Sequence, residues 1–307
     1  MKQPSYENKA ESTDMPLDHN LMALTWDPAV EKALVRKIDI RIFPVMIVLF
    51  VLNFIDRNNF ANARLRGLEE DLGLTDVQYQ TCISILLVGY VAMQVPSNMI
   101  LNKLKRPSWY LCGAVALWGL ISTATGAIHN FTGAVLCRFF LGCVEATFFP
   151  GSLLFLSRWY TRSEMQLRVT ILNTGNLAAQ GFGGLIAAGI LQGMEGAGGL
   201  RAWRWLFIIE GAATIACAGM AIFILPDYPS STRWLTDEQK LVAENRLAID
   251  NGLAGGSAED EDVTATQGLI MACKDPKVWL LGLAYHTTIM GLSVSPLPPP
   301  PCARTFH

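Results

Sequence analysis

Across residues 107–157 the chain carries only two ionised side chains, Arg138 and Glu145. A helix needs about 20 mainly apolar residues to cross the hydrocarbon core of a bilayer, so a stretch this long holds two crossings. The turn signal "GAIHNFTG" divides it. The same reading of the whole chain gives six spans, at about 41–60, 79–101, 108–128, 131–156, 169–192 and 205–225. Composition agrees: 51% of residues are hydrophobic and only 16% charged, where soluble domains carry about 25% charged residues. The fold class expected is all-α, a polytopic membrane protein.

Several function classes are excluded at this point. A net charge of -2 offers no basic field for nucleic acid. The seven cysteines form no CxxC or Cys/His spacing suited to zinc, so they read as small core hydrophobes. No nucleophile with a base and no metal cluster falls within the spans, which argues against an enzyme, and no cofactor is expected.

Orientation follows from Lys and Arg in the short loops. Lys32, Arg36, Lys37 and Arg41 precede the first span; Lys103, Lys105 and Arg106 follow the second; Arg158, Arg162 and Arg168 follow the fourth. The alternate loops are poorer, so the N-terminus is expected in the cytosol. Residues 1–37 form a polar cytosolic tail without the apolar core of a cleavable signal. Residues 38–225 are the six-helix bundle. Residues 226–277 are a cytosolic linker holding an amphipathic helix, with Thr236 as N-cap and Gln239 three residues on. Residues 278–295 begin a seventh span, stopped by a proline-rich tail at 296–307.

Ionisable residues inside spans are costly and mark functional sites. Arg138 and Glu145 are seven residues apart, two helical turns, so they share a face, and Gly142 between them gives a neighbouring helix room to approach. Helical side chains lean toward the N-terminus, so Arg138 points away from Glu145 and each needs its own partner. The first span brings Asp56 and Arg57 to the outer half, at the depth of Arg138; Glu145 lies near the midplane. Two readings stand. In one, Arg57 and Arg138 attract an anion into a cavity while Asp56 and Glu145 bind and release protons. In the other, the charges are structural ion pairs. Two acids and two arginines exceed what packing requires, which favours the cavity. Tyr90, Asn173, Asn176 and Gln180 either line it or make interhelical hydrogen bonds. Glu210, near the outer end of its span, reads as structural, with Arg201 and Arg204 in reach as partners.

The segments "LNFIDRNNFANAR", "CRFFLGCVEATFFPG" and "WRWLFIIEG" resemble, in this order, the anion:cation symporter group of the major facilitator superfamily, in particular the fungal allantoate permease family. The resemblance implies proton-coupled symport of a small organic anion such as a carboxylate, ureide or vitamin. It assigns proton coupling to Asp56 and Glu145, and substrate binding to Arg57, Arg138, Tyr90 and Asn176. It also implies that Arg138 pairs with the acids when no substrate is bound. The superfamily's motif between the second and third helices is reduced here to "PSNMILNKLKRPSWY", which keeps its basic character and lacks its acid.

Family members have twelve spanning helices in two halves with the site between them. This sequence reads as the six-helix N-terminal half plus a partial seventh helix, so a truncated product or faulty gene model is expected, inactive as a monomer. The alternative is a non-transporting half-transporter that acts as a membrane receptor or regulatory partner. The expected partners are the bilayer, protons and the organic anion; the expected location is the plasma membrane.

Overall fold

The computed structural model describes residues 26–104, 106–250 and 265–294. The N-terminal tail before residue 26, most of the acidic stretch of the linker and the proline-rich tail lie outside the described residues. Every regular element among the described residues is a helix.

Helix α1 (Pro28–Arg41) starts on Asp27, whose side chain accepts from the Ala29 N–H, with Pro28 in the first turn, where its missing donor costs nothing. Helix α2 (Phe43–Arg64) continues almost directly, broken only at Ile42. The break has a local cause: Pro44 has no N–H to return to the carbonyl four residues back. A one-turn helix α3 (Leu68–Leu72) sits between Gly67 and Gly73, both at positive φ. Helix α4 (Asp76–Lys103) opens with a Thr75/Gln78 capping box. Then come α5 (Pro107–Thr125), α6 (Phe131–Glu145), α7 (Phe148–Ser157), α8 (Arg162–Gly193), a 3-10 turn (Ala197–Gly199) and α9 (Ala202–Ile224).

The fourth expected span is therefore two helices. Pro150 cannot donate to the Ala146 carbonyl, so the helix opens at Ala146 and Thr147 and restarts at Phe148. Glu145 is the last residue before this opening.

By length and composition, four helical stretches among the described residues can cross a membrane: Pro28–Arg64, Asp76–Leu101, Phe131–Ser157 and Ala202–Ile224. Helices α5 and α8 complete the bundle with them, α5 against α9 and α2 against α8, while α4 packs on α6. The outward surface is apolar: Ile83, Leu87 and Val91 on α4, Phe182 and Leu185 on α8, and Phe223 on α9 at 91% exposure. Polar groups buried and large hydrophobics outside is the pattern a hydrocarbon solvent selects.

Two apolar clusters fill the interior. One gathers Ile38, Met46, Phe50, Trp118, Phe148 and Trp159, the other Phe60, Leu68, Tyr79, Trp203 and Phe207. Along α2, α5 and α9 the buried polar residues Asp56, Asn59, Ser122, Glu210 and Thr214 fall between the two.

Close helix approach positions this layer. A Cβ on Gly142 would overlap the Leu86 carbonyl of α4, and one on Gly89 would overlap the Phe139 carbonyl of α6, so these helices touch backbone to backbone. Gly119 and Gly211 do the same for α5 and α9, a Cβ on Gly211 meeting the Gly119 oxygen at 2.6 Å.

Helix α10 (Asp237–Asp250) keeps the Thr236/Gln239 capping box. Its Val242 and Ala243 join the first cluster, and buried Arg246 binds Glu164 at 3.0 Å and the Trp159 carbonyl. Helices α11 (Ala265–Lys274) and α12 (Pro276–Val294) belong to a separate unit.

Candidate functional site

Arg57 and Glu145 form an ion pair across α2 and α6, Nε to Oε2 at 2.8 Å. The Glu145 side chain is fully buried, whereas that of Arg57 keeps 30% exposure. The guanidinium of Arg57 lies 4.7 Å from the Tyr90 ring centroid and 5.9 Å from that of Phe54, so its open side is framed by aromatic faces. The backbone contact at Gly142 brings α4 against α6 here: a Cβ on that glycine would meet the Tyr90 nitrogen at 3.1 Å.

Arg138 is arranged differently from what the resemblance implies. It forms no ion pair among the described residues; its Cζ lies 4.0 Å from the Phe60 ring centroid, and its Nε and Nη2 are buried without a hydrogen-bond partner. Its charge acts on Asp56 and Glu145 through space. The cause is geometric. The side chain leans toward the N-terminus of α6 onto Phe60, while Glu145, two turns on, is taken by Arg57.

Asp56 finds neutral partners. Its Oδ1 accepts from Ser122 Oγ at 2.6 Å and from Asn59 Nδ2 at 3.4 Å. Asn59 Nδ2 also donates to Glu210 Oε2 of α9. Glu210 therefore has a partner other than the expected arginines. Arg204 pairs with Asp71 at 2.9 Å and donates to the carbonyls of Gly126 and Ile128, and Arg201 lies 3.5 Å from Asp71, so both arginines are held by α3 and the neighbouring loop.

A cavity of about 220 Å³ lies between α2, α4 and α6, lined by Arg57, Phe60, Ile83, Leu86 and Arg138 among others. Both arginines reach it. Asn176 does not join this group: its Oδ1 accepts from Gln180 at 3.2 Å along α8. Asn59, Ser122 and Glu210 were missed as site residues. Asn59 had a readable signal, lying one turn from Asp56 on the same face of α2; Glu210 did not, because its partner is 151 positions away in sequence. No group of three metal-ligating side chains occurs among the described residues.

The family model described as Major Facilitator Superfamily matches residues 46–299. The chain is 38% identical over 230 residues to the MFS-type transporter cnsO of Penicillium expansum, a match covering 73% of this chain and 44% of that protein. It is 32% identical over 235 residues to the pantothenate transporter liz1 of Schizosaccharomyces pombe, covering 74% of this chain and 46% of that one. Among solved structures, a bacterial homolog of the human lysosomal transporter Spinster, inward-facing and occupied, superposes with a TM-score of 0.56 at 18% identity, over 69% of this chain and 47% of the other. The chain thus spans about half the length of these relatives.

Proposed function

The chain belongs to the Major Facilitator Superfamily, a family of membrane transporters for small molecules, and from that premise we propose proton-coupled symport of a small organic anion, with a carboxylate as the recognised group. The observation that carries this reading is the Arg57–Glu145 pair at the edge of a cavity that also receives Arg138. Arg57 is the carboxylate ligand, Arg138 the second source of positive field, and Tyr90 the ring that frames Arg57. Asp56 and Glu145 carry the proton.

The coupling is an exchange of partners. A substrate carboxylate arriving at Arg57 displaces Glu145, because one guanidinium edge cannot serve both at full strength. Glu145 is then a buried carboxylate without a counter-ion, and taking up a proton is the least costly outcome. Anion and proton enter together, and the layer's net charge is unchanged.

The relative named for pantothenate transport supports an organic acid as cargo. The Lys/Arg bias of alternate loops supports a cytosolic N-terminus, and we place the protein in the plasma membrane. In a complete carrier of this fold the site lies near the membrane midplane, at the interface between this half and a second one. The test is uptake of labelled carboxylates, pantothenate first, by the complete two-half carrier in proteoliposomes with and without an inward proton gradient, since this half alone is expected not to transport. Accumulation that requires the gradient is the expected result; gradient-independent uptake, or transport confined to cations and neutral solutes, overturns the reading.

A further inference from the structure

Glu210 is buried, 6% exposed, and among the described residues no cation is paired with it. Its Oε2 accepts from Asn59 Nδ2, and the same nitrogen donates to Asp56 Oδ1. One amide group therefore bridges two carboxyl groups, one from α2 and one from α9. Each carboxyl has a second oxygen, Asp56 Oδ2 and Glu210 Oε1, buried with no hydrogen-bond partner.

Two carboxylates that share one NH₂ group in a layer closed to water cannot both be ionised at low cost, since like charges at this separation favour keeping one proton between them. The charge balance of the layer agrees. It contains three acids, Asp56, Glu145 and Glu210, and two arginines, Arg57 and Arg138. One proton makes it neutral. Arg57 is engaged with Glu145, so that proton belongs to the other two acids.

Among the described residues, no other ionisable group is paired with Glu210. Helix α2 presents Asp56 and Asn59 to it, and α5 contributes Ser122 through Asp56. Helix α8 has no ionisable side chain between Arg168 and Gly193. Arg138 of α6 is 4.0 Å from the Phe60 ring centroid and 5.9 Å from that of Phe207 and forms no ion pair with Glu210, and Arg204 of α9 itself is held by Asp71.

We propose that Glu210 is a further proton-carrying carboxyl of this transporter, which shares one exchangeable proton with Asp56 across the Asn59 bridge. This rests on the symport reading. Asn59 only donates; the proton leaves one carboxyl oxygen, and the pair becomes more negative by one charge when it is released to the solvent.

The test is an infrared pH titration of the protonated-carboxyl stretching band on the protein in lipid nanodiscs, which needs no substrate. The step that disappears in Asp56→Asn is expected to move to lower pH by about one unit in Glu210→Gln, because removing the neighbouring negative charge lets Asp56 give up its proton more readily. In Asn59→Ala, which removes a donor and keeps both acids, the step is expected to move to higher pH. The two variants shift in opposite directions, so either one that folds suffices. A step unchanged in a folded variant overturns the proposal, as does a band that responds to Na⁺ and not to pH. Gradient-driven uptake with an unshifted step sinks this inference alone; the expected shifts without gradient-driven uptake sink the symport reading.

Discussion

Arg57 Nε lies 2.8 Å from Glu145 Oε2, joining a partly exposed cation on α2 to a fully buried carboxylate at the point where α6 opens into α7. Arg138, on the same helix as Glu145, makes no such bond among the described residues and rests on Phe60. Two arginines at one cavity are thus in different states: one occupied and one with buried donors unused.

That asymmetry sets the consequence of removing Arg57. The Arg57→Ala variant is expected to lose at least tenfold in the initial rate of anion uptake, and to be less stable because Glu145 is left buried and unpaired. Adding Glu145→Gln to it should recover part of the stability without recovering uptake, as read by thermal melting in detergent beside the uptake assay. Uptake at the wild-type rate in Arg57→Ala would refute its assignment as the carboxylate ligand.

Packing at the α4 and α6 crossing gives a second prediction. A side chain at Gly142 has no space against the Leu86 carbonyl, whereas a Cβ at Gly113 meets nothing within 4 Å. Gly142→Val is expected to cost more than about 2 kcal/mol and to reduce the yield of monodisperse protein, with Gly113→Val near wild type. Equal melting temperatures for the two would contradict backbone contact at this crossing.

At the opposite end of α2 from α3, Asp39 of α1 accepts two bonds from Arg168, at 2.9 and 2.8 Å, and one from the Tyr160 hydroxyl at 2.8 Å. Asp39→Asn leaves a buried guanidinium without its anion. Asp39 itself is partly exposed, so the expected loss is about 1–2 kcal/mol, less than a dry pair would give. Thermal melting at low and high salt checks it; a loss that vanishes entirely at high salt would mean the pair is open to solvent.

Much of this was legible in the sequence. The distribution of charge located the long apolar stretches, the small residue Gly142 marked a close helix contact, and the two-turn spacing with backward-leaning side chains separated Arg138 from Glu145. What could not be read is who meets whom across helices. Spacing along α6 says that Arg138 and Glu145 need different partners, but that Glu145 takes Arg57 and Arg138 takes an aromatic face follows only from how α2 and α6 cross. Pro150 was visible, yet the opening it creates directly after Glu145 depends on whether the bundle tolerates a break there. The partners expected for Glu210 differ for the same reason: Arg201 and Arg204 are nearer in sequence, but α3 brings Asp71 to both and leaves Glu210 to Asn59.

In the proposed cycle Glu145 exchanges Arg57 for a proton when the anion binds. The measurement that checks this compares gradient-driven accumulation with solute exchange at equal pH in proteoliposomes of the complete two-half carrier bearing Glu145→Gln, using labelled pantothenate. A glutamine cannot release a proton, so accumulation should disappear while exchange of internal for external substrate persists. Accumulation at the wild-type level in Glu145→Gln would rule out Glu145 as the coupling carboxyl.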